Sequence, residues 1–398
     1  MTSMKKKIAY IATSLFLLVV TIVVILYGKG YNFSFGDGKI SLLGTGLLAA
    51  TSQPDGAGIY INSHLTSATN NTVSLTPGVY DIKIVKSGYF PWQKRIKIEK
   101  EVVSSAFALL IPTAPKLDNV TDIGVSNPVL DPTRTKIAYT VSTSSDPRKN
   151  GVYILDMGLR PILTLQSSST QIADDSIGNF SESRLSWSPD AKELVATISA
   201  GPDFAATYLL KTNFNENPQD ITATLEAVNA SWNEQKEKQD KSQLLGFKAK
   251  LQNLIKENFE ILSWSEDETK ILYTAPTSAA LPLIISPPLI GANQTSEERF
   301  INKGAVYVYD IKEDKNFKIF DEMPKTPLSW FPDSKHLIYV SDRKISIMDY
   351  DGLNRTTVYA GPFIDNYIFA WPDGSKILIL TDLGNPTISP NLYTIGLK

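Results

Sequence analysis

The chain has no cysteine and only two histidines in its 398 residues. The first absence removes disulfides, thiolate nucleophiles and cysteine-based metal sites together. It does not fix the compartment, because an exported protein need not be stapled. His64 and His336 stand alone: neither has a second histidine at ligand spacing, and there is no His-Glu-x-x-His run. A Gly-x-Ser-x-Gly elbow is missing, as is any glycine-rich loop that opens a helix to cradle phosphate. An excess of one charge is missing too, with 39 basic against 41 acidic side chains and no basic stripe. The counterion-release drive toward nucleic acid is therefore absent. No catalytic residue, cofactor, metal site or nucleic-acid partner is expected.

What is present is turn chemistry. Glycine and proline occur 23 times each, Tyr, Thr and Ser are frequent, and long helical patterns are few. That composition fits a mainly β chain, and the length calls for more than one folding unit.

One long apolar run breaks the pattern. Met-Lys-Lys-Lys at Met4–Lys7 precedes Ile8–Tyr27, 20 residues without a charge or a proline. As a helix this run is about 30 Å long, the thickness of a hydrocarbon core. Three lysines precede it and Lys29 alone lies just after, so the positive-inside bias keeps the N-terminus in the cytoplasm. A cleaved leader has a shorter apolar core and a small-x-small site, whereas this core runs into Tyr-Gly-Lys-Gly-Tyr. A transmembrane signal anchor at 8–27 is expected, after a cytoplasmic tail at 1–7 and before a juxtamembrane segment at 28–45. A cell-membrane location follows, with the C-terminal domains extracytoplasmic.

From 46 to 112 short alternating strands take over. Pro54-Asp55-Gly56 and Pro77-Gly78 are turn sequences, since Pro presets φ and Gly accepts positive φ. Between Val79 and Lys86 alternate residues are apolar, giving that strand a buried face through Ile84. The segment resembles the PEGA domain: Pro54-Asp55-Gly56-Ala57 stands at its Pro-x-Gly-Ala signature, and Leu75-x-Pro77-Gly78-x-Tyr80 with Ser87-Gly88-Tyr89 completes the pattern. The resemblance implies a small β-sandwich-like, structural or adhesive module without catalysis. Asn62-Ser63-His64 departs from the family's Asn-Gly or Asp-Gly hairpin, so a longer or differently turned hairpin is expected there.

The rest of the chain repeats. Leu185–Asp190, Leu262–Asp267, Leu328–Asp333 and Phe369–Gly374 are four copies of a Trp-x-Pro-Asp-like box, centred on Trp187, Trp264, Trp330 and Trp371. A fifth copy, Pro128–Thr133, lacks the Trp. Each box is followed by two β-rich runs, and outer strands are expected near Ile162, Ile221, Phe317 and Val358. The last copy has no outer strand, but Leu117–Ile123 is a spare strand that could close a ring. The copies resemble blades of the TolB-type β-propeller, a relative of WD-repeat blades. That resemblance implies a propeller over 117–398 with five blades, or six if an insert hides a degenerate copy. In it the tryptophans pack between blades, and the Pro-Asp pairs make turns rather than ligate metal.

Two inserts interrupt the repeats: a helical one at 221–258 and a Pro-rich apolar one at 275–303. In the first, Ile221, Leu225, Val228 and Trp232 share a helix face, as do Leu244, Phe247, Leu251 and Leu254. The charged run Glu234–Lys241 separates the two sets, and one helix or a helix pair are both open. Blade topology puts both inserts on one propeller face, where they either pack on each other or expose a binding surface. Candidate partner-binding residues are Trp232, Phe247, Leu283, Ile284, Ile285 and Leu289. The expected protein is non-enzymatic and membrane-anchored, and its propeller binds an envelope protein or a cell-wall glycan. The alternatives are an envelope hydrolase or lyase with acidic residues in the propeller channel, and a sensor that signals through a membrane partner.

Overall fold

A computed structural model describes residues 2–28, 31–36, 39–158, 169–199, 201 and 205–397. Helix α1 (Thr2–Gly28) comes first. Its described side chains run from Tyr10 to Ile25, and all are exposed. At 1.5 Å per residue that stretch covers about 24 Å, against roughly 30 Å of hydrocarbon core. Among the described residues no helix is long and apolar enough to cross a membrane. The expected span at 8–27 reaches beyond those side chains at both ends and is not supported by them.

Strands β1 (Tyr31–Gly36) and β2 (Lys39–Gly44) form a two-stranded antiparallel sheet of their own. Two further sheets follow. One orders as β6-β3-β9, from β3 (Gly46–Gln53), β6 (Asn71–Leu75) and β9 (Val103–Leu109), with β3 and β9 parallel. The other orders as β5-β4-β7-β8, from β4 (Gly58–Ile61), β5 (His64–Ala68), β7 (Gly78–Val85) and β8 (Trp92–Ile98). Strand alternation sends Leu48, Ala50, Ile59, Ile82, Ile84, Trp92, Ile96 and Ala106 into one shared core. The hairpin between β4 and β5 is not longer than an Asn-Gly turn. Asn62 (φ 47°) and Ser63 (φ 70°) both take the left-handed region, the geometry of a two-residue type I′ loop. Asn can adopt it at low cost, and its Oδ1 is held by the Asp81 N–H at 3.0 Å.

The second unit covers Ala114–Ile284 and Glu297–Lys398, and the first takes in Ile285–Ser296 besides the N-terminal domain. After β10 (Leu117–Asn119) come four consecutive four-stranded antiparallel blades. Blade one is β11 (Ser126–Leu130), β12 (Lys136–Val141), β13 (Gly151–Asp156) and β14 (Ser169–Asp174). Its outer strand thus lies C-terminal to Ile162, which is outside the described residues. Blade two is β15 (Arg184–Trp187), β16 (Glu193–Ser199), β17 (Ala205–Lys211) and β18 (Gln219–Asp220). Helices α2 (Leu225–Leu245) and α3 (Ala249–Asn258) lead into β19 (Glu260–Trp264) and β20 (Lys270–Thr274). A small hairpin of β21 (Ala279–Ala280) and β22 (Phe300–Ile301) precedes β23 (Val306–Asp310) and β24 (Lys315–Phe320), which complete blade three. Blade four is β25 (Leu328–Trp330), β26 (His336–Ser341), β27 (Lys344–Asp349) and β28 (Thr356–Tyr359).

The fifth blade contains β29 (Ile368–Ala370), β30 (Lys376–Thr381) and β31 (Asn391–Gly396), and β10 is its outer strand, pairing Leu117 with Ile395. Closure by strands from both ends of the unit is as expected from the spare strand. Apolar cores lie between blades one and two, three and four, and five and one. Among the described residues the unit is a five-bladed propeller.

The repeated box explains the blade turns. In all five, the box's first turn residue accepts a backbone hydrogen bond from the residue three further on, which stands at positive φ: Arg134, Ala191, Glu268, Ser334 and Gly374. The turn polar group differs by blade. Asp131 accepts from the Thr135 and Lys136 N–H groups, both at 2.7 Å. In blades two and three a serine takes that place, Ser188 accepting from Glu193 N at 3.0 Å and Ser265 from Lys270 N at 2.9 Å. The acidic residues of the boxes serve as acceptors within their own turns.

Candidate functional site

Blade three carries both inserts. Helix α2 is exposed along most of its length and is laced by ion pairs Glu234–Lys238 (2.8 Å) and Glu237–Lys241 (3.2 Å). Of the two arrangements left open, the insert is a helix pair: the charged run lies inside α2, and the chain breaks at Gly246. Helix α3 buries Leu251, Leu254 and Ile255 against blade three. Beneath it the Phe259 and Tyr273 rings stack at 3.8 Å, and Tyr273 stacks on Tyr307 at 5.6 Å. Burial pushes the Tyr273 and Tyr309 hydroxyls well above the ordinary tyrosine value, so both stay neutral donors. Tyr273 donates to Asn316 Oδ1 at 2.8 Å and Tyr309 to Asp314 Oδ1 at 2.6 Å.

That polar layer clamps the base of the Pro-rich insert. Asp314, 3% exposed, takes the Ile284 N–H on Oδ2 at 2.7 Å and Arg299 on Oδ1 at 3.1 Å. Arg299 also pairs with Glu297 at 3.1 Å and donates to the Pro282 carbonyl at 3.1 Å. Lys250 of α3 donates to the Leu283 carbonyl at 2.6 Å. Both ends of the insert are thus held. Sequence reading passed over this clamp; its one local signal is the Glu297-Glu298-Arg299 charge cluster beside an apolar run.

Of the expected partner residues, Phe247 and Ile284 pack onto the blade-three core, and Phe247 stacks on Trp264 at 6.0 Å. Trp232 is half-buried on α2. Leu283 is 43% exposed, and the same unit also exposes Leu245 (73%) and Phe300 (61%), which had not been singled out. The two inserts therefore do pack on each other as far as Ile284. Ile285, half-buried, and Leu289, exposed, belong to the first unit. There Gln294 meets the edge strand β8: its Oε1 accepts from Lys97 N at 2.6 Å and its Nε2 donates to Lys97 O at 2.8 Å. One side-chain amide thus mimics a neighbouring strand, and Asn293 accepts from Lys94 Nζ at 2.9 Å beside it. The placement of 285–296 on the N-terminal domain corrects the expectation that the whole insert lies on the propeller face.

The repeat tryptophans divide into two pairs. Trp187 and Trp330 are buried, and their Nε1–H groups donate to Val129 O (3.0 Å) and Ser263 O (3.3 Å) on the preceding blade. Trp264 and Trp371 are half-buried, the second under the Lys376 ammonium at 4.7 Å.

At the opposite end of the blades from the inserts sits a buried ion cluster. The His336 imidazole, 3% exposed, lies between Asp333 Oδ2 (2.6 Å) and Asp349 Oδ1 (3.2 Å). Burial alone would lower its pKa; the charge and hydrogen bonds of Asp333 and Asp349 outweigh burial and raise it to about 9. His336 in turn holds the Asp333 carboxyl below its ordinary value despite burial. Among the described residues no group of three or more His, Asp and Glu side chains is placed to hold a metal ion. His64 lies on the exposed β4–β5 turn, with Nδ1 2.9 Å from the Asn62 carbonyl.

Residues 45–112 match the PEGA domain. The match spans both sheets of the N-terminal domain, from the residue before β3 to just past β9. No curated protein matches the chain. Among solved structures it is similar to a putative TolB from Agrobacterium tumefaciens at 13% identity and TM-score 0.23, over 68% of this chain and 78% of that one. TolB from Acinetobacter baumannii is 14% identical with TM-score 0.25, over 80% of this chain and 59% of that one. The β-propeller domain of the Trilobed protease from Pyrococcus furiosus is 13% identical with TM-score 0.23, over 88% and 95%.

Proposed function

We propose that the chain is a non-enzymatic cell-envelope protein anchored by one transmembrane helix. Its propeller binds a protein or glycan partner through the blade-three inserts, and its PEGA domain serves as a spacer or adhesive module. One observation carries the binding site: Leu245, Leu283 and Phe300 stay exposed on inserts whose base is held by a buried hydrogen-bonded clamp. A rigidly held apolar surface costs little ordering on binding, which favours a partner site. The anchor reading draws on the sequence alone, from the charge-free run Ile8–Tyr27 and the three lysines before it.

The test is co-sedimentation of the full chain, held in nanodiscs, with purified cell-wall sacculi. Saturable pelleting that a paired Leu283→Ser, Phe300→Ser change weakens roughly tenfold is the expected result for a glycan partner. Pelleting untouched by that change would remove the insert surface from the binding site. Absence of pelleting by the unaltered chain would remove the glycan partner and leave a protein, sought by crosslinking from Leu283.

A further inference from the structure

We propose that the outer face of the β5-β4-β7-β8 sheet is a binding surface separate from the propeller inserts, and that its ligand is an acidic glycan. The inference deepens, and rests on, the reading of the PEGA domain as an adhesive module. Ile59 and Ile61 of β4, Ile82 and Ile84 of β7, and Ile96 and Ile98 of β8 are buried in the domain core. Strand alternation therefore turns Tyr60, Lys83, Arg95 and Lys97 to the opposite face. The register sets Leu65, Tyr60, Lys83 and Gln93 in one row across the four strands, about 14 Å from end to end. Asp81 with Arg95, and Val79 with Lys97, form the next two rows, each about 7 Å further along.

The aromatic group points to a sugar. A Cβ on Gly58 would stand 3.2 Å from Tyr60 Cε2 and 3.1 Å from Leu65 Cδ1, so the bare glycine gives both side chains room to lie low on the sheet. A tyrosine ring held beside an aliphatic side chain is a platform for the apolar face of a pyranose, whose hydroxyls then reach the polar side chains in the same row. The charge points to an acidic sugar. Lys83, Arg95 and Lys97 stand against Asp81 alone on this face, in a chain whose net charge is -2. Arg95 pairs with Asp81 at 2.9 Å and Lys97 with Glu99 at 2.7 Å, while Lys83 is exposed with no acidic partner among the described residues. Exposed pairs of this kind contribute little, so the basic groups can exchange them for the carboxylates or phosphates of a ligand.

The test measures binding of the full chain, in detergent micelles, to polygalacturonate and to a glycosylated polyglycerol phosphate, which separate carboxylate from phosphate as the acidic group. Neutral dextran and inorganic polyphosphate supply the sugar without charge and the charge without sugar. One of the two acidic glycans should bind several-fold more tightly than either comparison, and its binding should weaken as salt rises. Lys83→Gln with Lys97→Gln should weaken it roughly tenfold. Tyr60→Ala should weaken it about fivefold, and Tyr60→Phe should retain it. The paired lysine change leaves the Tyr60 packing in place, so a Tyr60 variant that perturbs the sheet does not decide the outcome. Binding that survives these changes but is lost in Leu283→Ser, Phe300→Ser would overturn this site and leave the propeller surface. Polyphosphate binding as tight as that of the glycans, with no effect of Tyr60→Ala, would overturn the sugar and leave a bare charged patch. Binding of neither glycan while the chain still pellets with sacculi would overturn the site and leave the adhesive reading, whereas loss of pelleting as well would overturn both.

Discussion

At the blade-four turn a single side chain joins two strands of the blade. His336 on β26 donates from both ring nitrogens, to Asp333 in its own turn and to Asp349 at the end of β27. Its folded pKa of about 9 stands above the unfolded value of 6.5. A raised pKa adds stability that is complete below the unfolded value and is lost as pH rises through the folded one. Unfolding free energy should therefore fall between about pH 6.5 and 9, by up to about 3 kcal/mol from this group. Urea titrations across that range check the slope, and His336→Gln should flatten it. Trp330→Ala should cost about 3–5 kcal/mol because Trp330 is 2% exposed. The half-buried Trp371 should cost less, and denaturant midpoints of the two variants give the order. Ala191 holds a positive-φ turn position (57°) that glycine accepts without strain, and Ala191→Gly should raise stability by up to about 1 kcal/mol. These positions were legible because the Trp-x-Pro-Asp boxes repeat. The His336 pair was not, since Asp349 lies outside the box and meets the ring through strand pairing of β26 with β27.

Among the elements, the strands were read more surely than the inserts. Turn residues and alternation mark each blade strand, and the missing outer strand of the last copy pointed to β10 at the other end of the unit. Replacing Leu117–Asn119 with Gly-Ser-Gly should bare the edge of β31, and amide exchange should rise sharply at Thr394, whose N–H faces β10 as those of Leu392 and Gly396 do. One helix or a helix pair were both open for the first insert, and the structure has a pair broken at Gly246, with the charged run inside α2, where Glu and Lys at i,i+4 spacing support a helix. The Gln294 amide on β8 was hidden, because a polar residue in a Pro-rich loop gives no sign of which edge it meets. Gln294→Ala should remove the acceptor of Lys97 N and speed exchange at that amide while its β7-facing neighbours stay protected.

For the whole molecule, the PEGA domain and the propeller were legible because each repeats or preserves a motif tied to backbone geometry. The proposed partner surface was legible only as a region: Leu283 stays exposed, whereas Phe247 and Ile284 are used to fix the inserts. Burial is a tertiary property, and an apolar loop reads the same whether it packs or waits for a partner. The central claim is that the domains stand outside a membrane which the N-terminal helix crosses. It is tested most directly with a membrane-impermeant maleimide on intact cells carrying single-cysteine variants of the full chain. Leu65→Cys, on an exposed strand, should label from outside, and Ser3→Cys should label only after the cells are opened. Labelling of both positions only after opening would contradict the claim and put the PEGA domain and the N-terminus in the same compartment.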